Sequence, residues 1–233
     1  MIKAIETEYQ GYRFRSRLEA RWSVFFNVLG IEWEYEKEGF DLDGIWYLPD
    51  FWLTNVSLRG NDPGMWLEIK GENPTDEEIL RGELLGKGSR HGVAIAVGLP
   101  SPEQRDNGIF QLWPHWDNWM HFMRCYYCDF TKIDLESPYC TCPNCGKEAD
   151  DQHPAIAIAS DLARAARFEY GEQPIIPAVK ELQDMCTEVY LNRAQTCLDN
   201  ANKALHKHGS GPDGISIARR INSEATKWLD LAR

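Results

Sequence analysis

The sequence predicts an α/β fold built in layers, followed by a cysteine-rich segment and a helical C-terminal extension. Residues 16–30 carry apolar side chains at three- and four-residue spacing and end in a glycine, which is typical of a helix with one buried face. Residues 45–53 and 65–70 are rich in aromatic and aliphatic side chains and are separated by Asn, Pro and Gly, which indicates two strands. Residues 92–98 form a short continuous apolar run, the pattern of a strand buried on both faces.

The other elements of this region follow from local signals. Residues 31–35 alternate Ile, Trp and Tyr with Glu, which predicts a strand with one face buried and the other exposed to solvent. Thr75 and Glu78 have the spacing of a capping box and predict a helix that ends near residues 86–88. Residues 109–113 are expected to form an edge strand, and the layer structure to end near residue 120. Within the strand at 45–53, four residues are expected to face the core: Ile45, Tyr47, Phe51 and Leu53.

Charged residues in the strand at 65–70 are the chemical anomaly of this region. Successive side chains of a strand point to opposite faces, so Glu68 and Lys70 emerge on the same face. A buried carboxylate or ammonium is costly unless it is paired or bound to a metal. Asp50 can meet Glu68 if the two strands are neighbours, and two close carboxylates repel unless a hard cation such as Mg²⁺ lies between them. The pattern predicts a divalent-metal site with a lysine at its edge.

Length and charge limit the classes of function. The chain has 233 residues, 43% of them hydrophobic, which suffices for one domain with its own core and an appendage. A net charge of -11 argues against nucleic-acid binding through bulk electrostatics, because contacts to phosphate need Lys and Arg. Arginines nevertheless cluster at Arg13, Arg15, Arg17 and Arg21, and a local positive patch can exist on an acidic protein.

Membrane and export signals are missing from the sequence. No run of about 18 apolar residues occurs, which is the length that a membrane span needs. The first residues lack the apolar stretch of a signal peptide. We therefore expect a soluble, cytoplasmic protein that does not enter a membrane.

Five of the seven cysteines lie between residues 125 and 145. Cys125 and Cys128, then Cys142 and Cys145, form two Cys-x-x-Cys pairs with the spacing of a four-cysteine structural zinc site. Cys140 offers a different fourth ligand, and we favour Cys142 because Pro143 and Gly146 belong to a tight turn around it. Four protein ligands close the coordination sphere, so we expect a structural Zn²⁺ rather than a catalytic one.

The C-terminal third has helical periodicity and no catalytic signature. Helices are expected at 156–170, 179–205 and 215–232, and we expect this extension to serve packing, homo-oligomerisation or contact with a partner protein. Three domains are therefore predicted: residues 1–120, residues 121–150 around the cysteines, and residues 151–233.

The order of three short motifs resembles that of a known nuclease superfamily. A Leu-Glu pair ending at Glu19 lies on the first helix, Pro49-Asp50 on a strand, and Glu68-Ile69-Lys70 on the next strand. Over residues 10–100 the chain resembles the PD-(D/E)XK nuclease superfamily, and looks most like its small phage and transposon-end members. The resemblance implies a restriction-endonuclease-like core, a mixed sheet flanked by helices, to which a zinc ribbon and the helical extension are attached.

The resemblance also implies roles for the candidate catalytic residues. Asp50 and Glu68, with the backbone carbonyl of Ile69, would hold a catalytic Mg²⁺ or Mn²⁺. Glu19 would bind a second metal or a metal-bound water. Lys70 would orient the attacking water and stabilise negative charge on the phosphorane.

Less specific assignments concern Glu19 and the phosphate contacts. Glu19 has an alternative role as a rim carboxylate paired with Ser16 or with Arg15. Three basic residues are candidates for phosphate binding: Arg17, Arg81 and Lys87.

These residues predict a metal-dependent DNA endonuclease that hydrolyses phosphodiester bonds, acting in the host cytoplasm if it is phage-encoded. The alternative is a catalytically inactive, nuclease-fold component of a nucleoprotein complex that binds DNA or a partner protein. The residues do not distinguish DNA from RNA as the substrate.

Overall fold

A computed structural model describes residues 4–58, 63–101, 109–113, 119–134, 141–208 and 212–233. The chain divides into two compact units, Met1–Ile176 and Pro177–Arg233. Among the described residues, the helices of the first unit are α1 (Arg17–Leu29), α2 (Asp76–Ser89) and α3 (Pro154–Ala165), with a short 3₁₀ helix at Glu169–Gly171. Its strands are, in chain order, β1 (Thr7–Tyr9), β2 (Tyr12–Phe14), β3 (Trp33–Tyr35), β4 (Phe40–Leu42), β5 (Ile45–Tyr47), β6 (Phe51–Leu53), β7 (Ser57–Leu58), β8 (Met65–Lys70), β9 (Gly92–Val97), β10 (Ile109–Trp113), β11 (Trp119–Cys125), β12 (Thr131–Asp134) and β13 (Ala149–Asp150).

Helix α1 begins and ends as the sequence predicts, and α2 begins as predicted but continues to Ser89, past the predicted end near 86–88. The Ser16 side chain caps α1 by accepting a hydrogen bond from the backbone N–H of Glu19, and Gly30 ends the helix at a φ of 67°. Thr75 and Glu78 form both hydrogen bonds of a capping box at the start of α2. Both helix starts are therefore fixed by local sequence.

A mixed sheet forms the centre of the first unit and confirms the predicted α/β class. Its described strands follow the order β3-β6-β8-β9-β10-β11-β12-β7, and β13 pairs with β11. The β8–β9 and β12–β7 pairs are parallel, while the other pairs are antiparallel. Phe51 lies opposite Leu67 in the β6–β8 pair, so the same register brings Asp50 opposite Glu68.

Two strand predictions are wrong. The strand predicted at 109–113, β10, is not at an edge, because β11 pairs along its outer side and the sheet continues beyond residue 120. The strand predicted at 45–53 is two strands: β5 pairs with β4, and β6 pairs with β8. Pro49 separates them, since proline lacks the N–H that a continuous ladder needs. Phe51 and Leu53 are buried as expected, whereas Ile45 is 38% exposed.

Helices cover both faces of the sheet. Phe25 and Phe26 of α1 make ring contacts with Phe122 of β11, and Phe26 also contacts Phe51 of β6. On the opposite face, Leu85 of α2 packs in a cluster with residues of β8 and β9. Aromatic and aliphatic packing thus fixes the positions of β6 and β8, which carry the predicted metal-site residues.

Helix α3 is shorter than the predicted helix at 156–170 and packs against α1. It therefore belongs to the first compact unit, and the predicted domain boundaries at 120 and 150 both lie inside that unit.

The second unit consists of α4 (Val179–His208) and α5 (Pro212–Leu231) in the described residues. These helices pack against each other, with the rings of Tyr190 and Trp228 stacked at 6.0 Å. Within the described part of the chain, no helix is both long enough and apolar enough to cross a membrane.

Candidate functional site

Asp50, which directly precedes β6, lies beside Glu68 of the paired strand β8. Asp50 is 2% exposed and Glu68 is 6% exposed. The backbone N–H of Asp50 donates to Oε2 of Glu68 at 3.2 Å, and the backbone N–H of Ile69 donates to Oδ2 of Asp50 at 2.7 Å. The predicted pairing of the two carboxylates is therefore present, and each is oriented by a backbone hydrogen bond.

Lys70 emerges beside Glu68, as the strand period predicts. Its Nζ lies 2.9 Å from Oε1 of Glu68 and 3.0 Å from Oε1 of Glu78. Burial lowers the pKa of an ammonium, but the two carboxylates outweigh burial and raise the pKa of Lys70. Glu78 also closes the capping box of α2, so the start of this helix fixes the position of the lysine.

Arg15 is a site residue that the sequence did not assign to the metal site. Its guanidinium forms an ion pair with Oδ1 of Asp50, and its Nε lies 2.8 Å from Oε1 of Glu36. The sequence placed Arg15 in a basic patch and named it only as a partner of Glu19. Its position just before α1 gave no signal that its side chain faces Asp50.

Glu19 is buried in the first turn of α1, at 7% exposure. Its carboxylate accepts hydrogen bonds from the Ser16 hydroxyl at 2.6 Å, the Tyr35 hydroxyl at 2.6 Å and the backbone N–H of Arg15 at 3.1 Å. These contacts match the alternative role for Glu19, a carboxylate held by Ser16 and Arg15. Glu19 is still close enough to Asp50 for its charge to act on that carboxyl.

The charges around Asp50 favour a cation beside it. Burial, followed by the charges of Glu68 and Glu19, raises the pKa of Asp50 well above its usual range. The Ile69 N–H and the Arg15 guanidinium oppose this shift without cancelling it. The negative charges of Glu68 and Glu19 are therefore only partly offset around Asp50. An added positive charge would stabilise the ionised form of Asp50.

The three carboxylates do not form a closed metal cage in this structure. Among the described residues, a group of three or more potential ligands with all donor atoms within 4.8 Å of one another is found at the four cysteines. Asp50, Glu68 and Glu19 do not meet this criterion. At the carboxylates, Arg15 and Lys70 already contact Asp50 and Glu68.

The candidate phosphate-binding residues lie in different places. Arg81 lines a pocket of about 370 Å³ together with Arg15, Glu68 and Lys70. Arg81 pairs with Glu77, and its buried Nε has no hydrogen-bond partner among the described residues. This pocket therefore brings three cationic side chains to the carboxylates.

Two of the predicted phosphate contacts are not at this pocket. Arg17 pairs with Glu169 at 2.8 Å and lines a separate pocket of about 540 Å³. Lys87 lies in the last turn of α2, with its Nζ 3.9 Å from Glu83, and does not line the carboxylate pocket.

The four predicted zinc ligands lie together at one end of the sheet. The Sγ atoms of Cys125 and Cys145 are 3.5 Å apart, as are those of Cys128 and Cys142. Tetrahedral zinc with bonds of about 2.3 Å requires sulfur separations of roughly 3.8 Å, so this cluster can hold a metal ion such as zinc. Cys140, the alternative ligand, lies outside the described residues.

Two tight turns present these thiols. The backbone N–H of Asp129 donates to the carbonyl of Cys125 at 3.2 Å, and that of Gly146 donates to the carbonyl of Cys142 at 2.8 Å. Both turn residues have positive φ, 57° at Asp129 and 71° at Gly146, and glycine adopts such a conformation at no steric cost. Burial raises the pKa of the Cys125 thiol to about 12, and such a thiol needs a bound cation to ionise at neutral pH.

None of the family models, curated proteins or solved structures compared with the chain matches it. The first unit nevertheless contains two distinct centres: a pair of buried carboxylates beside a pocket lined by lysine and arginine, and a cluster of four cysteines.

A buried arginine fixes the cysteine cluster to α1. Arg124 is 7% exposed, and its Nη1 donates to the carbonyl of Leu29 at 2.8 Å and to the Thr131 hydroxyl at 3.1 Å. Its Nε contacts the turn residue Asp129 at 3.2 Å. The last carbonyls of a helix lack partners within the helix, so Arg124 satisfies one of them and attaches the turn to the helix end.

Proposed function

We propose that the protein is a metal-dependent DNA endonuclease that hydrolyses phosphodiester bonds at Asp50, Glu68 and Lys70. The observation that carries this proposal is the burial of two hydrogen-bonded carboxylates, 2% and 6% exposed, beside a lysine that lines an open pocket. The motif order and the adjacency of β6 and β8 support a PD-(D/E)XK, restriction-endonuclease-like core.

The donor set fits a hard divalent cation. Carboxylate and carbonyl oxygens are the ligands that Mg²⁺ and Mn²⁺ prefer. Ile69 directs its N–H toward Asp50, and the N–H and C=O of one strand residue point to the same neighbouring strand. The Ile69 carbonyl therefore points to the side of β8 on which Asp50 lies, as its proposed role as a ligand requires.

Lys70 and the arginines supply the positive charge for the substrate. A bound Mg²⁺ or Mn²⁺ would polarise the phosphoryl group and lower the pKa of the attacking water. Lys70, held between Glu68 and Glu78, is placed to hydrogen-bond that water and to stabilise charge on the phosphorane. Arg81 lines the same pocket and is the proposed contact to phosphate.

Arg15 competes with the cation for Asp50. Its guanidinium contacts Oδ1 of Asp50, while 54% of its side chain is exposed. Asp50 is buried, so its charge needs a counter-charge, and a bound cation would supply one when the half-exposed Arg15 turns toward solvent. Once released, it lies at the rim of the pocket, where it can contact the phosphate of the substrate.

Zinc at the four cysteines would complete the proposed enzyme. A Cys₄ site leaves no open coordination position, and Arg124 fixes the cluster to the end of α1. We propose that zinc stabilises residues 121–150 as a ribbon, while residues 1–120 carry the chemistry and residues 151–233 form the extension.

The test is cleavage of supercoiled plasmid at low salt with Zn²⁺ present and with Mg²⁺ or Mn²⁺ added. We expect nicked or linear products with the wild type and none with Glu68→Gln. Glu72→Gln is the matched control, because this exposed glutamate lies close to Glu68 along the chain and loses the same charge. Intact plasmid with both metals would contradict the proposal.

A second function is favoured by one observation. Arg15 and Lys70 already pair with Asp50 and Glu68, which is the arrangement expected of an inactive, nuclease-fold component that binds DNA or a partner protein without metal. Failure to bind Mn²⁺ even with DNA present would support this second function.

A further inference from the structure

Trp46 is an exposed aromatic side chain at the proposed active site with no role in the chemistry described above. It is 70% exposed and lines the same pocket of about 370 Å³ as Lys70 and Arg81. Large apolar side chains at a pocket of this size commonly contact the ligand.

The hairpin that carries Trp46 has a regular turn and is anchored to the core. Strands β4 and β5 pair in register, with Trp46 opposite Asp41. The turn residues Asp43 and Gly44 have φ values of 54° and 88°, as a tight two-residue hairpin turn requires, and the Gly44 N–H donates to Oδ1 of Asp41 at 2.6 Å. Phe40 packs edge-on against Trp66 at 5.2 Å, which anchors the hairpin to the core.

A glycine sets the position of the indole ring. A Cβ atom added at Gly39 would lie 2.1 Å from Cζ2 of Trp46, so the ring lies directly on the backbone of Gly39. The indole is therefore held at one edge while most of its surface is open to solvent. Such a ring is a preorganised flat surface for stacking.

The charges around the hairpin determine which part of a nucleic acid can reach this ring. Glu38, Asp41 and Asp43 lie on or next to the hairpin, and their charge repels phosphate. Arg15, Lys70 and Arg81 line the pocket together with Glu68 and Glu78, so three positive side chains face two negative ones and attract phosphate. A phosphate can thus enter the pocket while an uncharged base rests on Trp46.

We propose that Trp46 stacks on an unpaired base next to the scissile phosphate, so that the substrate is single-stranded or locally unpaired DNA. This inference rests on the proposed nuclease function. Bases inside a duplex are stacked on both faces by their neighbours, so only an unpaired base offers a free face to the indole. Stacking also supplies affinity that a net charge of -11 does not.

The test is fluorescence anisotropy with labelled DNA, using zinc-loaded protein that carries Glu68→Gln to prevent cleavage. Three DNAs are compared: a single strand, a blunt duplex, and a duplex with a three-nucleotide bubble. Adding Trp46→Ala should weaken binding of the single strand and of the bubble about tenfold or more, and leave duplex binding unchanged. Trp46→Phe, which retains a stacking ring, should keep most of the affinity and covers the case in which the alanine variant misfolds.

Tyr127→Ala is the matched control, because Tyr127 is a 53% exposed aromatic residue of the cysteine segment and should not affect binding. If the Glu68→Gln protein binds all three DNAs equally well with and without Trp46→Ala, the stacking role is overturned and the nuclease proposal still stands. Equal weakening for duplex and single strand would overturn the preference for unpaired bases, and tighter binding of single-stranded RNA would overturn the choice of DNA. Absence of cleavage of any of these DNAs by the wild-type chain with Mg²⁺ or Mn²⁺ would instead contradict the proposed nuclease function.

Discussion

Replacing Asp50 with asparagine should separate stability from activity at the carboxylate pocket. Asparagine has the same shape and can still accept the hydrogen bond that the Ile69 N–H donates at 2.7 Å. It removes a buried negative charge that faces Glu68 and Glu19. The ion pair with Arg15 is lost, but the buried charge that this pair offsets is removed with it.

The expected gain in the free energy of unfolding is about 0.5 to 2 kcal/mol, the range of single stabilising substitutions. In a unit of this size, each kcal/mol raises the Tm by roughly 2 to 4 °C. Because the pKa of Asp50 is raised in the folded state, the contribution of Asp50 to the stability of the wild type is most favourable in acid and is lost as the pH rises through the raised pKa. The advantage of Asp50→Asn should therefore be small in acid and largest at neutral and alkaline pH.

Urea unfolding as a function of pH, in Mg²⁺-free buffer that contains Zn²⁺, measures this difference. Glu72→Gln should show no comparable gain, because its side chain is exposed. The same Asp50→Asn protein should lose at least about 10³-fold in cleavage rate, since metal activation is worth several kcal/mol and 1.36 kcal/mol is tenfold. Cleavage by Asp50→Asn at the wild-type rate would show that Asp50 is not needed for the reaction. A loss of stability in Asp50→Asn that grows with pH would show that the buried charge of Asp50 does not destabilise the fold.

Three further substitutions test the proposed roles of Lys70, Arg15 and Cys142. Lys70→Ala should lower cleavage about 10²- to 10³-fold with an unchanged circular dichroism spectrum; a smaller loss would remove Lys70 from the chemistry. Arg15→Gln should raise Mg²⁺ affinity severalfold in calorimetry by freeing Asp50, while weakening DNA binding and its salt dependence; unchanged Mg²⁺ affinity would show that Arg15 does not compete. Cys142→Ser should reduce bound zinc below one ion per chain and lower the Tm, because structural zinc supplies on the order of 10 kcal/mol, whereas Cys197→Ser, outside the cluster, should do neither. Full zinc retention in Cys142→Ser would identify Cys140 as the fourth ligand.

The parts of the fold that the sequence predicted are those encoded by short segments. The glycine that ends α1, the capping box at Thr75 and the buried strand β9 each depend on residues within one turn or one strand. The neighbouring positions of Asp50 and Glu68 were predicted because a buried carboxylate is costly unless it is paired or bound to a metal, and two carboxylates can share one cation. For α1, α2 and β9 the deciding signal lies within a few residues, whereas the pairing of Asp50 with Glu68 also depended on the two strands being neighbours, which they are.

The parts that the sequence did not predict depend on contacts between distant segments. The interior position of β10 requires β11 along its outer side, and nothing within residues 109–113 indicates that partner. Arg124 is buried because the carbonyl of Leu29 is free at the end of α1, although the two residues are 95 positions apart. Arg15 faces Asp50 because of the path of the chain just before α1, which no residue pattern specifies.

The most direct test of the central claim is calorimetric titration of zinc-loaded protein with Mn²⁺, with and without a short DNA strand. We expect the wild type to bind Mn²⁺ at Asp50 and Glu68, more tightly when DNA is present, and we expect Asp50→Asn to abolish this binding. Equal binding by both proteins, or no binding by the wild type even with DNA, would contradict the claim that these buried carboxylates form a metal site.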